Sequence, residues 1–276
     1  LGTRLLPVSK EVPKEMLPLF SLSNNVIGLK PVVHMVFEGL FKSGIREFCF
    51  VVGKGKRVIE DYFTPDINFI NILQSKGLGD RVKCLKEFYS MVLKSKIFFI
   101  NQPEPRGFGE AVLHAEPFVG NEAFLLHAGD DVVLSYNYDH FKRLISVFEE
   151  FNADAAILLE EVEDPRAYGV ALGRAVDNYG NILRLTDIVE KPEKPPSNIA
   201  VIAIYVFKPK IFNYIRKVKP DSKGEIQLTY AIKLMIDDGC EVYGVKLKPG
   251  ERRLDVGTPQ TYWKSLYESY SWALNK

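Results

Sequence analysis

Short apolar runs alternate with longer amphipathic segments along much of this chain, and that alternation is the strongest constraint on its fold. Runs rich in β-branched and aromatic residues predict buried strands at 48–52, 97–100, 123–127 and 155–159. Apolar residues recur at helical spacing between them, at 31–43, 80–94, 109–116 and 137–151. Buried strands joined by helical crossovers are typical of a mostly parallel sheet with helices on both faces, so we predict an α/β fold.

The pattern changes after residue 165, where the predicted strands follow one another more closely. Residues 168–174 and 182–190 predict an antiparallel hairpin around a turn at 177–181. The later elements are expected to be strands at 200–207 and 242–247 and helices at 209–216, 225–237 and 258–275. We expect one catalytic domain with a mixed sheet over residues 1–276.

A Gly-Thr-Arg turn at residues 2–4, with Lys14 ten residues later, is a candidate phosphate site. Glycine lets backbone N–H groups approach phosphate oxygens, and Arg4 and Lys14 supply positive charge. The alternative is a polar surface turn with two solvated cations. A phosphate loop normally follows a buried strand, and nothing apolar precedes Leu1, so we expect the first strand to be missing from this sequence.

Two carboxylates stand at the ends of predicted elements and are free for function, and Asp130 is well placed to hold a hard divalent cation. Asp130 follows a strand directly, and Asp255 precedes a Gly turn and a helix for which Thr258 is the expected N-cap. Adjacent side chains of an extended segment point to opposite sides, so only one of Asp130 and Asp131 is expected to be a ligand. The alternative for Asp130 is a strand-ending turn with a helix-capping aspartate.

Two further segments offer polar groups to a ligand. Glu190 and Lys191 suit sugar hydroxyls and a phosphate, unless they form an ordinary exposed ion pair. Gln102 and the glycine-rich segment at Gly107 suit a planar base, unless the segment only links a strand to a helix. None of the four histidines has a partner at metal-ligand spacing, and no Ser-His-Asp or Cys-His arrangement is visible.

Composition excludes several classes of protein. Lys and Arg number 36 against 35 Asp and Glu, so the chain has no basic field for nucleic acid. Three isolated cysteines fit a reducing compartment, and we expect a cytoplasmic protein without disulfides or a cysteine zinc site. No run of about 18 apolar residues is present, so no membrane span is expected.

Phrases spread over nearly the whole chain resemble sugar-phosphate nucleotidyltransferases, and among them the bacterial-type UTP–glucose-1-phosphate uridylyltransferases. These phrases are Leu1-Gly-Thr-Arg-Leu-Leu-Pro, Pro13-Lys-Glu-Met-Leu-Pro-Leu, Gly129-Asp-Asp, Tyr168-Gly-Val, Val189-Glu-Lys-Pro, Pro196-Ser-Asn, Gly224-Glu-Ile-Gln-Leu-Thr and Asp255-Val-Gly-Thr-Pro. The resemblance implies a Rossmann-like mixed, mostly parallel sheet flanked by helices, of the nucleotide-diphospho-sugar transferase type. It also implies a homo-oligomer, either a dimer or a tetramer.

The resemblance gives the nucleotide a set of binding residues in this chain. The loop at Gly2, Thr3 and Arg4 would cradle the triphosphate, and Lys14 would neutralise charge at the α-phosphate. The residues that would read the base are Gln102 and Gly107.

The resemblance also implies a metal site and a sugar-phosphate site. Asp130 and Asp255 would hold Mg²⁺ between the nucleotide and the sugar phosphate. Glu190 would bind the hexose hydroxyls, Lys191 the phosphate, and Gly169 would contact the sugar through its backbone. The residues expected to act in catalysis are Arg4, Lys14, Asp130 and Lys191.

The implied reaction transfers UMP from UTP to glucose-1-phosphate and gives UDP-glucose and pyrophosphate. Use of dTTP, use of another hexose-1-phosphate such as N-acetylglucosamine-1-phosphate, and a non-catalytic nucleotide-binding role are the alternatives. A dinucleotide-binding dehydrogenase is disfavoured because the chain lacks a Gly-x-Gly-x-x-Gly with an acidic residue about twenty positions later.

Three positions and one segment differ from the pattern usual among the relatives. Glu110 stands where they usually have His, Tyr230 where they have Asp, and 202–204 lacks the usual Gly. The segment 20–30 is longer and more polar than the usual link. These differences lie near the expected base and sugar sites, so they bear on substrate identity more than on the type of reaction.

Overall fold

The computed structural model describes residues 2–275, apart from the side chains of residues 80 and 81, and divides into two compact units. The first comprises residues 1–101, 129–134 and 252–276, and the second comprises 102–128 and 135–251. Each unit therefore draws on separated segments of the chain. That residues 1–276 form one catalytic domain stays a prediction. The two end residues lie outside the described range.

The first unit contains short strand pairs surrounded by helices. Its strands are β1 (Pro18–Ser23), β2 (Val26–Pro31), β3 (Glu47–Gly53), β4 (Lys96–Gln102), β6 (Asp131–Leu134) and β12 (Arg252–Asp255). Its helices are α1 (Val32–Lys42), α2 (Arg57–Tyr62), α3 (Ile67–Ser75), α4 (Gly79–Leu93) and α10 (Pro259–Leu274). Strand β1 pairs with β2, β3 with β4, and β6 with β12.

Two apolar cores hold the first unit together. One is aromatic, and in it the ring of Phe37 on α1 lies 4.7 Å from that of Phe48 and 6.1 Å from that of Phe88. The other core packs the fully buried Leu19 of β1 and Leu254 of β12 together with neighbouring apolar residues of α1 and β6. Because β6 and β12 take part in this core, the residues that flank both strands are held in fixed positions.

The second unit is built on one six-stranded sheet. Its strands are β5 (Phe124–His127), β7 (Ala155–Glu161), β8 (Gly169–Ala175), β9 (Ile182–Glu190), β10 (Ile199–Phe207) and β11 (Val242–Lys246). Its helices are α5 (Phe108–His114), α6 (Glu116–Val119), α7 (Asp139–Glu150), α8 (Ile211–Ile215) and α9 (Leu228–Asp237). The strand order is β5-β10-β7-β11-β9-β8.

Strand directions in this sheet differ from the predicted, mostly parallel arrangement. Within the described residues, β7 and β11 pair in parallel, and the other pairings of the sheet are antiparallel. The short connection from β8 to β9 explains the antiparallel pairing of these two strands, because a parallel neighbour needs a long crossover. The mixed α/β character of the fold is as predicted.

Most predicted elements are present within one to three residues of their expected bounds. The predicted hairpin is the antiparallel pair β8–β9, and Thr258 caps α10 through a capping box with Thr261. The hairpin β1–β2 and the four-residue strands β6 and β12 were not predicted. No helix within the described range is long and apolar enough to cross a membrane.

A buried polar cluster lies between α1, β2 and α2 in the first unit. His34 Nδ1 lies 2.7 Å from the hydroxyl of Tyr62, and its Nε2 lies 3.6 Å from Glu38 Oε2. Glu38 accepts hydrogen bonds from Lys30 at 2.6 Å and from Lys42 at 2.5 Å. Burial and the charge of Lys30 lower the pKa of His34 to about 3, despite Glu38. Although burial opposes it, the two lysines lower the pKa of Glu38 to about 2.

We expect this cluster to make the protein sensitive to acid. A histidine whose pKa is lower in the folded state stabilises the fold above its unfolded pKa, and this stabilisation is lost as pH falls. The loss begins near pH 6.5 and reaches about 2 kcal/mol at pH 5 for His34, while Glu38 adds a loss below pH 4.5. Urea unfolding at pH 7.5, 6 and 5 measures how the free energy of unfolding changes with pH. A His34→Gln variant, which cannot titrate there, should lose about half as much stability between pH 7.5 and pH 5, and the remaining loss should come from His140, whose pKa burial also lowers to about 3.

Candidate active site

The Gly-Thr-Arg segment forms a 3-10 turn, Thr3–Leu5, which Gly2 opens with a left-handed φ of 66°. The carbonyl oxygen of Gly2 accepts hydrogen bonds from the backbone N–H of Leu5 at 2.9 Å and from the Ser9 hydroxyl at 2.7 Å. A Cβ atom on Gly2 would lie 3.2 Å from Ser9 Cβ. Both the backbone angle and the close packing therefore favour glycine at this position.

Lys14 and Asp130, which lie 116 residues apart in the sequence, form an ion pair through Nζ and Oδ2. Their side chains are 25% and 22% exposed, so solvent screens the pair only partly. Burial by itself lowers the pKa of Lys14, but the charge and hydrogen bond of Asp130, aided by Glu15, outweigh it and raise the pKa. Lys14 is therefore a permanent cation at neutral pH.

The neighbouring carboxylate, Asp131, has a separate, structural partner. It is 4% exposed and accepts from Arg253 Nε at 2.9 and 3.0 Å and from Nη2 at 2.6 Å. Burial raises the pKa of Asp131, although the Arg253 guanidinium opposes this shift. The two adjacent aspartates thus face different surroundings, as the alternation of side chains along an extended segment predicts.

Asp255 lies beside the two adjacent aspartates, Asp130 and Asp131. Strand β12 runs antiparallel to β6 and places Asp255 opposite Asp131. Its Oδ1 accepts a hydrogen bond from the backbone N–H of Gly257 at 2.8 Å. Arg4 also reaches this end of the strands, since its Nη2 lies 3.3 Å from the position that a Cβ on Gly257 would occupy. The first unit therefore gathers Arg4, Lys14, Asp130 and Asp255 within one cluster.

The two carboxylates of this cluster are suited to hold Mg²⁺ when phosphate oxygens of the substrates complete its coordination. Among the described residues, no group of three or more metal-binding side chains is present. Mg²⁺ is usually held by one or two carboxylates together with substrate phosphates and water. The carboxylates of Asp130 and Asp255 fit that donor set.

The glycine-rich loop of the second unit packs against the backbone of Ile226. The N–H of Gly109 donates to Ile226 O, and the N–H of Ile226 donates to Arg106 O, both at 2.8 Å. A Cβ on Gly107, whose φ is 98°, would lie 2.8 Å from both the N and the O of Ile226. Glycine at 107 is thus required by the protein's own backbone, a reason that the sequence did not reveal.

Gln102 lies next to this loop, in contact with a carboxylate. Its Nε2 donates to Glu110 Oε2 and lies 3.4 Å from the carbonyl oxygen of Gly107. The other carboxylate oxygen of Glu110 lies 3.0 Å from His114 Nε2. The structure therefore brings Gln102 and Gly107 together, as predicted, and adds Glu110 and His114 to them.

The third predicted group, Gly169, Glu190 and Lys191, lies where β8 and β9 pair. Gly169 is opposite Glu190 in the register, and a Cβ on Gly169 would lie 3.5 Å from Glu190 Oε2. Glu190 accepts hydrogen bonds at 2.6 Å from both the buried Thr229 hydroxyl and Lys191 Nζ. Lys191 has a φ of 40°, and its N–H donates to Tyr168 O at 3.0 Å. A non-glycine residue held in the left-handed region is often found at a functional site.

Sequence reasoning missed several residues that hold the predicted ones in place. Arg253 and Ser9 belong to no recognisable motif. Arg253 contacts Asp131 across 122 residues, whereas Ser9 bonds to Gly2 only seven residues away. Thr229 ends the phrase Gly224-Glu-Ile-Gln-Leu-Thr, and Glu110 was noted as a difference from the relatives, but neither position indicates its partner.

Several proteins of known name are similar to this chain over nearly its whole length. A Staphylococcus saprophyticus protein named UTP–glucose-1-phosphate uridylyltransferase 2 is 35% identical over 270 residues, which cover 97% of this chain and 88% of that protein. A UDP-glucose pyrophosphorylase structure complexed with UDP-glucose superposes with a TM-score of 0.81 at 29% identity, covering 98% of this chain and 95% of that one.

A second structure, a UTP-bound UGPase from Acinetobacter baumannii, has a TM-score of 0.81 at 30% identity and covers 97% of this chain and 89% of its own. The family model described as nucleotidyl transferase matches residues 1–270. Because this match spans nearly the whole chain, the chain belongs to the nucleotidyl transferase family.

Proposed function

We propose that this protein transfers UMP from UTP to glucose-1-phosphate, releasing pyrophosphate and forming UDP-glucose. The observation that carries the proposal is the Lys14–Asp130 pair beside Asp255 and Arg4, in a chain similar along its whole length to UTP–glucose-1-phosphate uridylyltransferases. Use of dTTP or of another hexose-1-phosphate is the second candidate, since it requires the same groups.

This reaction requires positive charge near the phosphates and does not require a strong general base. The phosphate oxygen of the sugar is already an anion, so it can attack the α-phosphorus without losing a proton. Two anions must approach each other, and charge builds up on the α-phosphate in the transition state. We assign Arg4 and Lys14 to the nucleotide phosphates and Lys191 to the sugar phosphate, because all three are cations beside predicted ligand-binding turns.

The remaining residues bind and orient the two substrates. Gly2 and Thr3 offer backbone groups to the triphosphate, while Gln102 and Gly107 face the base. Glu190, oriented by Thr229, accepts hydrogen bonds from the hexose hydroxyls, and Gly169 lets the sugar approach the backbone.

We further propose that Asp130 and Asp255 hold Mg²⁺. Two observations support this proposal. Both residues lie at the same end of the β6–β12 pair, and both side chains offer carboxylate oxygens, the ligands that Mg²⁺ prefers. When bound, Mg²⁺ neutralises charge on the phosphate oxygens and on the leaving pyrophosphate. A homo-oligomeric state, dimer or tetramer, and a cytoplasmic location stay predictions.

Pyrophosphate release with Mg²⁺ and glucose-1-phosphate tests the proposal, with UTP, dTTP, ATP, GTP and CTP assayed in parallel. Release with UTP well above the others is the expected result. Release mainly with dTTP would keep the mechanism and change the product. No release from folded protein with any nucleotide and several sugar phosphates would favour a non-catalytic nucleotide-binding role.

Lys191→Ala is expected to raise KM for glucose-1-phosphate by about tenfold to a hundredfold, because a charge-assisted contact to a phosphate is lost. The KM for UTP should change little. Steady-state kinetics with each substrate varied in turn measures the difference. Lys194→Ala removes a lysine from the adjacent proline-rich loop and serves as the matched control. Equal increases in both KM values would contradict the assignment to the sugar phosphate.

A further inference from the structure

The contacts of Gln102 leave its side-chain amide in one orientation. Glu110 Oε2 and the carbonyl oxygen of Gly107 both lie on the Nε2 side of this amide. A carboxylate and a carbonyl oxygen can only accept hydrogen bonds, so the nitrogen of Gln102 must face them. This orientation follows from the chemistry of the two acceptors.

The orientation determines what Gln102 can offer to a ligand. An amide has two N–H donors and one carbonyl oxygen, and both donors are directed at protein acceptors here. Within the described part of the chain, no donor engages Gln102 Oε1. The atom that remains for a ligand is therefore an acceptor.

Glu110 is itself held from its other side. Its Oε1 lies 3.0 Å from His114 Nε2, one helical turn further along α5. The Glu110 side chain is 17% exposed, so this contact is better shielded than a surface ion pair. A glutamate near the start of a helix also interacts favourably with the helix dipole, but that role would require neither Gln102 nor His114.

We propose that Glu110, anchored by His114, is a positioning residue that fixes the Gln102 amide with its oxygen toward the base, and so favours UTP over CTP. Uracil carries an N–H at ring position 3, which donates to this oxygen. Cytosine has a bare, accepting nitrogen at the same position, so two acceptors would face each other. A desolvated site built for one hydrogen-bonding pattern rejects the opposite pattern strongly. The inference rests on the proposed function in one respect, that Gln102 faces the base.

Glu110→Gln tests the inference with almost no change in side-chain shape. The introduced amide can present either its oxygen or its NH₂ group, so only the longer contact to the carbonyl oxygen of Gly107, at 3.4 Å, still favours one orientation of Gln102. We expect the ratio of kcat/KM for UTP to that for CTP to fall about tenfold, with KM for glucose-1-phosphate unchanged. Glu116→Gln is the control, because it neutralises a carboxylate that pairs with Arg216 at the surface.

A second variant keeps the test independent of how well Glu110→Gln folds. His114→Ala releases Glu110 without touching Gln102, and it should lower the same ratio by about threefold. A ratio within twofold of the unmodified protein in a folded Glu110→Gln variant would overturn the inference, as would an unmodified protein that does not distinguish UTP from CTP.

Calorimetric titration of UTP and CTP without the sugar separates this inference from the proposed function. Preferential UTP binding that weakens in Glu110→Gln supports the inference even if no pyrophosphate is released. Turnover with UTP together with an unchanged preference in both variants supports the proposed function and overturns the inference.

Discussion

Asp130→Asn is expected to lower kcat about a hundredfold to a thousandfold, with little loss of stability. The substitution keeps the shape of the side chain and removes its charge, so it weakens a proposed Mg²⁺ ligand and the partner of Lys14. Losing one group that stabilises charge in the transition state typically has an effect of this size. The KM for glucose-1-phosphate should change much less, because Glu190 and Lys191 are intact.

The measurement is kcat at saturating UTP and glucose-1-phosphate over a range of Mg²⁺ concentrations. The half-saturating Mg²⁺ concentration should rise in the variant together with the fall in kcat. Asp164→Asn is a suitable control, since Asp164 pairs with Arg166 in an exposed turn. Near-normal kcat in Asp130→Asn at ordinary Mg²⁺ concentrations would show that the metal assignment is wrong.

Elements whose signal is local were predicted well. The strand β10 and the helix α7 carry their periodicity within about a dozen residues, and both are present near their expected bounds. The hairpin β1–β2 escaped prediction because it turns through Asn24 and Asn25 at positive φ without a glycine, and because Val26 and Leu29 are exposed. The strand β6 has only four residues, and its partner lies more than a hundred residues away.

In the candidate site, too, residues that belong to a local motif could be predicted, whereas contacts between distant residues could not. Motifs located Lys14 and Asp130, but nothing in either motif indicates that the two side chains pair with each other across 116 residues. Gly107 was expected to allow a ligand to approach, yet the group that requires a glycine there is the backbone of Ile226. Positions can thus be predicted where a motif is short and distinctive, whereas partners depend on how the chain folds back.

Arg253→Leu is expected to destabilise the fold by about 3–5 kcal/mol, the usual result of leaving a buried charge without its partner. Asp131 is almost fully buried and accepts hydrogen bonds from Arg253 on both carboxylate oxygens. Without the guanidinium, the pKa of Asp131 rises further, so the folded state takes up a proton more readily than the unfolded chain. Stability then falls as pH increases, and the deficit should be larger at pH 8 than at pH 5.

Urea unfolding at the two pH values measures both the deficit and its sign. Arg252→Leu is the matched control, because the adjacent Arg252 pairs with Glu268 nearer the surface and should matter by less than about 1 kcal/mol. Combining Arg253→Leu with Asp131→Leu removes both charges, and an apolar pair is often as stable as the ion pair that it replaces. Recovery in that double variant would locate the loss in the unpaired carboxylate, whereas a deficit equal to the single variant's would locate it in the packing of the arginine side chain.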